Sequence, residues 1–142
     1  MIGRGTRARW FARAVRDRGG QRGSAAVEFA LVLPLVLILA LATLELALIT
    51  KDQLVVLDGA RAGARQGAVV TDDASVRQAV LQAAVGLDPS RLTVEVRRDG
   101  GVGTAVEVTV TYAAPIAIPL VAWLFPSEID LSSTAAMRQE TQ

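Results

Sequence analysis

The chain has 142 residues, no cysteine, no histidine and 51% hydrophobic residues, which bounds it to one small domain besides any membrane segment. The missing side chains exclude a disulfide framework, thiol or imidazole catalysis, and the usual zinc, haem and iron–sulfur ligand sets. A formal net charge of +1 hides a division: residues 1–22 carry seven Arg against Asp17, whereas the chain after Gly23 carries eight basic and thirteen acidic residues, a net of −5.

An arginine-rich head can neutralise phosphates, but here it stands directly ahead of an apolar run, the order of a targeting or anchoring sequence. A nucleic-acid partner is therefore not expected. Phe29 to Leu44 (FALVLPLVLILALATL) has no charge and only Thr43 is polar. Sixteen helical residues rise about 24 Å, short of a ~30 Å hydrocarbon core, whereas Phe29 to Thr50 covers about 33 Å with Glu45 near one edge. One span fits and no second one does. Basic flanks stay in the cytoplasm, which predicts an N-in, C-out topology.

Three kinds of membrane segment compete. A removable secretory signal has a possible A-x-A site at Ala40-Leu41-Ala42, but Glu28 is unfavourable at its start and apolar residues continue through Leu46, Leu48 and Ile49. A plain signal anchor remains uncut. In a prepilin-type leader only the basic head is removed. The string Arg22-Gly23-Ser24-Ala25-Ala26-Val27-Glu28-Phe29 resembles the processing motif of the tight adherence (Tad, or Flp) pilus family. There a prepilin peptidase cuts after glycine and the fifth mature residue is glutamate, which corresponds to Glu28. Major pilins of that family usually have tyrosine next; Phe29 here is closer to the TadE-like pseudopilins. The mature length from Ser24, 119 residues, also exceeds that of a major pilin.

Elementary chemistry suits the same residues. Gly23 offers a peptidase a small residue with little helical preference, and once the bond is cut Ser24 can cap or begin the following helix. Glu28 lies about one turn inside the apolar helix, where an uncompensated charge costs roughly 2.5 kcal/mol at the membrane centre and less near the edge. The resemblance implies the new Ser24 amine, of its own or a neighbouring subunit, as its partner; a glutamate that merely snorkels to the interface is the alternative. Pro34 is tolerated within a membrane helix. Glu45, near the outer interface, is expected to be solvated or snorkelling, with a bundle-facing contact as the alternative.

Lys51 to Val70 (KDQLVVLDGARAGARQGAVV) continues the helix, with Gly59, Gly63 and Gly67 at four-residue intervals. Each glycine in a helix interior costs about 1 kcal/mol relative to alanine, so three call for compensation. They form a smooth stripe, with Ala60, Ala64 and Ala68 beside it, against which another helix or sheet can lie closely. An exposed helix that is simply rich in small residues is the competing reading. The Ala60 to Arg65 string also resembles the stretch after the membrane helix in TadE-like proteins.

Asp72 or Asp73 is expected to cap a short helix from about Ala74 to Val85, stopped by Gly86. Strict alternation marks Leu92 to Arg97 and Val106 to Tyr112 as a β-hairpin. The Gly-Gly-Val-Gly between them precedes no helix N-terminus and reads as a turn, not a phosphate cradle. Ala113 to Pro126 (AAPIAIPLVAWLFP) is apolar but broken by three prolines, too short to span. It is expected either to tuck over the sheet or to expose Trp123, Leu124 and Phe125 to the bilayer surface or a neighbouring subunit. Ile129 to Met137 alternates as a third antiparallel strand.

The expected fold is α+β: a basic leader (1–23), a transmembrane helix (24–50), and an extracytoplasmic helix-plus-sheet domain (51–142) with a three-stranded antiparallel sheet. The resemblance implies a minor pseudopilin of a Tad pilus assembly system in the bacterial inner membrane. Its implied partners are a prepilin peptidase, other pilus pseudopilins and membrane assembly proteins, and the lipid bilayer. No cofactor, metal, small-molecule substrate or enzymatic activity is expected. An uncleaved anchored protein whose outer domain binds a partner is the alternative.

Overall fold

The computed structural model describes residues 8–100 and 103–140, with side chains from Gly23 onward. Residues 1–7 of the basic head, its arginine side chains, and Gly101-Val102 of the hairpin turn lie outside the described residues. The chain divides into two units, residues 1–40 and 41–142. Helix α1 (Ala8–Val69) contributes to both, and its portion from Gly23 is long and apolar enough to cross a membrane. In the first unit the apolar side chains point outward: Phe29, Leu31, Leu35 and Leu39 are all about two-thirds exposed, as a lipid-facing helix requires.

The second unit is built on the C-terminal part of α1, helix α2 (Asp73–Ala83) and the sheet β1 (Leu92–Arg98), β2 (Ala105–Pro115), β3 (Glu128–Arg138). All neighbouring strands are antiparallel, in the order β1-β2-β3. The third strand is thus where alternation places it, and each strand runs slightly further than its clearest alternating stretch. β2 takes in Ala113 to Pro115, paired as far as Pro115 opposite Glu128, so those three residues are strand and not loop. Pro115 is tolerated because it closes the strand, where a missing N–H costs least.

Alternation along β2 explains the core. Val106, Val108, Val110, Tyr112 and Ala114 are buried, with Val94 of β1 and Leu131 of β3 beside them. Covering them are Val56, Ala60, Ala64 and Ala68 of α1 and Val76 and Val80 of α2. The opposite face is polar, with a hydroxyl ladder in which Thr109 Oγ1 lies 2.9 Å from Thr134 Oγ1 and Thr111 donates to Ser132. One face buried and one wetted is the usual solution for a small antiparallel sheet.

Local chemistry sets the boundaries of the remaining elements. Asp72 caps α2, accepting from the backbone N–H of Ala74 and Ser75 and from the Ser75 hydroxyl at 2.7 Å. Gly86 follows that helix at φ +90° and Gly103 enters β2 at φ +91°, conformations that side-chain-bearing residues rarely adopt. Arg98 joins β1 to α2 by pairing with Asp73. The end of α1 is closed from a distance, as Glu140 N donates to Ala68 O at 2.8 Å, satisfying one of the carbonyls a helix C-terminus leaves open.

Candidate functional site

The residues marked out by sequence do not converge on one place. Gly23, Ser24, Glu28 and Phe29 lie together near the start of the apolar part of α1, in the first unit. Gly59, Gly63 and Gly67 lie in the second, and each set is described by itself.

At the first set, α1 runs through Gly23 and Ser24 without interruption. Ser24 is thus an interior helical residue of the uncut chain, and its expected place as cap or helix start belongs to the chain cut at Gly23–Ser24. Its hydroxyl donates to Glu28 Oε1 at 3.0 Å, one turn ahead. The carboxylate has a local partner even while it is exposed. Gly23 has open space around the position a Cβ would occupy among the described residues. Phe29 is 65% exposed.

At the second set the glycine stripe is covered from within the chain. A Cβ on Gly63 would lie 2.7 Å from Val80 Cγ2 and 2.9 Å from Val108 Cγ1, and one on Gly67 3.1 Å from Val106 Cγ2. At Gly59 the nearest atom, Val80 Cγ1, is 3.4 Å away. The two sheet-facing glycines let α2 and β2 approach α1 closely. The neighbouring Asp58 and Arg61 pair at 3.7 Å on the exposed side, a contact worth only a few tenths of a kcal/mol.

Glu45 holds a place that residue type and position did not reveal. Expected in solvent or snorkelling, it is only 1% exposed. Its Oε1 accepts from Ala117 N and its Oε2 from Ile118 N, each at 2.9 Å. Around it Leu41, Ala42, Leu48 and Ile49 are half-buried along one face of α1. The stripe repeats at helical spacing, so the folded domain covers α1 from well inside its apolar stretch. The partners are backbone amides in a loop after β2, which carry no residue-specific signature; the available hint was an acid within an apolar helix, which demands a partner.

That loop resolves the reading of Ala113 to Pro126. Its later part forms a 3-10 turn (Pro119–Leu124) that buries Val121 completely while leaving Leu120, Trp123 and Leu124 exposed. Of the three residues expected on an outer face, Trp123 and Leu124 are exposed and Phe125 is half-buried, while Leu120 joins them as an exposed side chain. Among the described residues no three acidic side chains converge where they could hold a metal ion.

Two exposed aspartates show how the second unit fastens its turns. The Ser75 hydroxyl and the amides of Ser75 and Ala74 hold the Asp72 carboxyl below the usual aspartate range. The Ser90 hydroxyl and amide do the same for Asp88 at the turn before β1.

Comparison with known proteins gives one family match: residues 23–65 fit the model of the TadE-like protein family. The matched stretch begins at Gly23, contains the apolar helix and Glu45, and ends within the glycine stripe. It associates the chain with the Tad pilus system, and together with the spanning-length helix it fits a membrane protein. No curated protein and no solved structure matches the chain.

Proposed function

We propose that this chain, TadE-like over residues 23–65, is a minor pseudopilin of a Tad pilus assembly system, made as a precursor and cut between Gly23 and Ser24. The basic head serves as a cytoplasmic address, and the domain after the span faces the extracytoplasmic side. The observation that carries the reading is the coincidence of the matched segment's start, Gly23, with the glycine of the processing motif, followed by a helix of spanning length.

Cutting at this bond releases a Ser24 amine one helical turn from Glu28. That turn is already closed by the Ser24 hydroxyl, so the new cation forms beside an existing acceptor. It can neutralise Glu28 of its own chain, or leave that role to the amine of an adjacent subunit. A paired carboxylate is far cheaper to hold in a low-dielectric environment than a lone one. The work is assembly and not catalysis: the carboxylate orders subunits through charge pairing within an otherwise apolar helix.

N-terminal sequencing of the membrane-extracted protein tests the reading. Ser24 as the first residue supports it. An intact Met1 indicates an uncut anchored protein, and Thr43 a secreted one.

A further inference from the structure

We propose that the 3-10 turn Pro119–Leu124 rests in the outer membrane interface, with Leu120, Trp123 and Leu124 in contact with lipid. The inference rests on the membrane span of the preceding reading and is independent of pilus membership.

Four observations within the second unit lead there. Leu120, Trp123 and Leu124 are 64%, 70% and 45% exposed, respectively, three large apolar side chains on one short turn. The turn is tied to α1 at Glu45 through Ala117 N and Ile118 N. Glu45 lies about 7.5 Å of helix rise before Thr50, the outer end of the span read from the sequence, which puts the attachment just inside the outer edge of the hydrocarbon layer. Leu44 and Leu46, flanking Glu45, are both more than half exposed, so the helix presents apolar surface where the turn is attached.

The loop is also fitted to a medium with little water. Lipid tolerates irregular backbone only where its polar groups are satisfied. Pro115, Pro119 and Pro126 have no N–H to satisfy. Ala117 and Ile118 give theirs to Glu45, Val121 N donates to Ile118 O at 3.1 Å, and Phe125 N to Ala122 O at 3.3 Å. The Trp123 indole N–H donates to Leu120 O at 3.2 Å, which frees the ring to enter an apolar layer without an orphaned donor. Tryptophan is enriched at this depth for the same reason. Glu45 thus acts as the staple that fixes the turn's level on the helix, and the buried Val121 holds it from beneath.

Depth-resolved fluorescence quenching tests this on the full chain. Trp10→Phe leaves Trp123 as the sole tryptophan. In vesicles of phosphatidylethanolamine and phosphatidylglycerol, lipids brominated near the headgroup end of the acyl chains are expected to cut Trp123 emission about twofold, with weak quenching by aqueous acrylamide. Strong acrylamide quenching without bromolipid quenching overturns the proposal in favour of water. Protection from both overturns it in favour of a protein neighbour, a second copy included. In the same background Leu120→Asp is expected to weaken bromolipid quenching, while Leu81→Asp, exposed on α2, leaves it unchanged; equal effects overturn the assignment of this face. Resistance of the protein to alkaline extraction reports the span separately, so failure of the patch is distinguishable from failure of the anchor.

Discussion

Glu45 and Ile118 stand 73 positions apart, yet the carboxylate of one accepts the backbone N–H of the other at 2.9 Å, and Ala117 fills the second oxygen at the same distance. A two-pronged contact of this kind satisfies an acid that an apolar helix could not otherwise keep. It also attaches the longest loop of the domain to the helix that carries it.

Removing this carboxylate leaves two amides without their acceptor. Each orphaned donor costs roughly 1–3 kcal/mol, so Glu45→Ala, which orphans two, is expected to lose about 2–6 kcal/mol in detergent and to open residues 116–126 to proteolysis. Glu45→Gln keeps one strong acceptor and should fall between it and the parent. Thermal unfolding with mass-mapped proteolysis checks both; equal stability of all three proteins would remove the staple.

The glycine stripe predicts an order of stabilities. Alanine at Gly59 meets ordinary van der Waals contact and gains up to about 1 kcal/mol of helix propensity, giving a neutral or stabilised protein. At Gly63 the new methyl collides with two valine methyls, whose β-branched side chains turn poorly, and overpacking of this kind costs about 1–3 kcal/mol. Gly67→Ala lies between them. Melting temperatures should therefore fall from Gly59→Ala through Gly67→Ala to Gly63→Ala, and a reversed order contradicts the packing described.

Processing is probed by two substitutions in the first unit. Gly23→Leu meets open space at its Cβ among the described residues, so a slower-migrating precursor in that variant reports on the peptidase and not on stability; migration equal to the mature protein would sink cleavage at this bond. Glu28→Gln is expected to insert normally and to co-purify less with other pilus components. Equal recovery would deny the charge a role in assembly.

Acid should loosen the turns. Asp72 and Asp88 are both held below the ordinary aspartate value of 3.8 in the folded chain, chiefly by the Ser75 and Ser90 hydroxyls. A carboxyl whose folded pKa is depressed stabilises the fold above its unfolded value, and that contribution is lost as pH falls through the folded one. Stability is thus expected to be level above about pH 5 with respect to these groups and to decline below 3.8. Asp72→Asn and Asp88→Asn should flatten the decline in a pH series of melting temperatures.

Much of the architecture is legible in the residues because it is set by local periodicity. The apolar run from Phe29 to Thr50 makes a helix of spanning length, alternation through Val106, Val108 and Val110 makes a one-sided strand, and Asp72 makes a cap. The order of elements and the three antiparallel strands follow from these patterns. The start of the matched segment is equally local, since Gly23 and Glu28 are separated by little more than one helical turn.

Tertiary structure decided what depends on distant partners. Whether Glu45 is wet or buried turns on amides 72 and 73 residues later, and backbone amides carry no residue-specific signature. What covers the glycine stripe was open until Val76, Val80, Val106 and Val108 were found against it. In the uncut chain the backbone before Ser24 is helical, and its hydroxyl reaches Glu28 one turn ahead. Sequence alone determined that this chain has an apolar helix and a small α+β domain; only the fold decided that the loop after β2 is fastened to one face of that helix at Glu45, because burial and hydrogen bonding belong to the assembled chain and not to any segment of it.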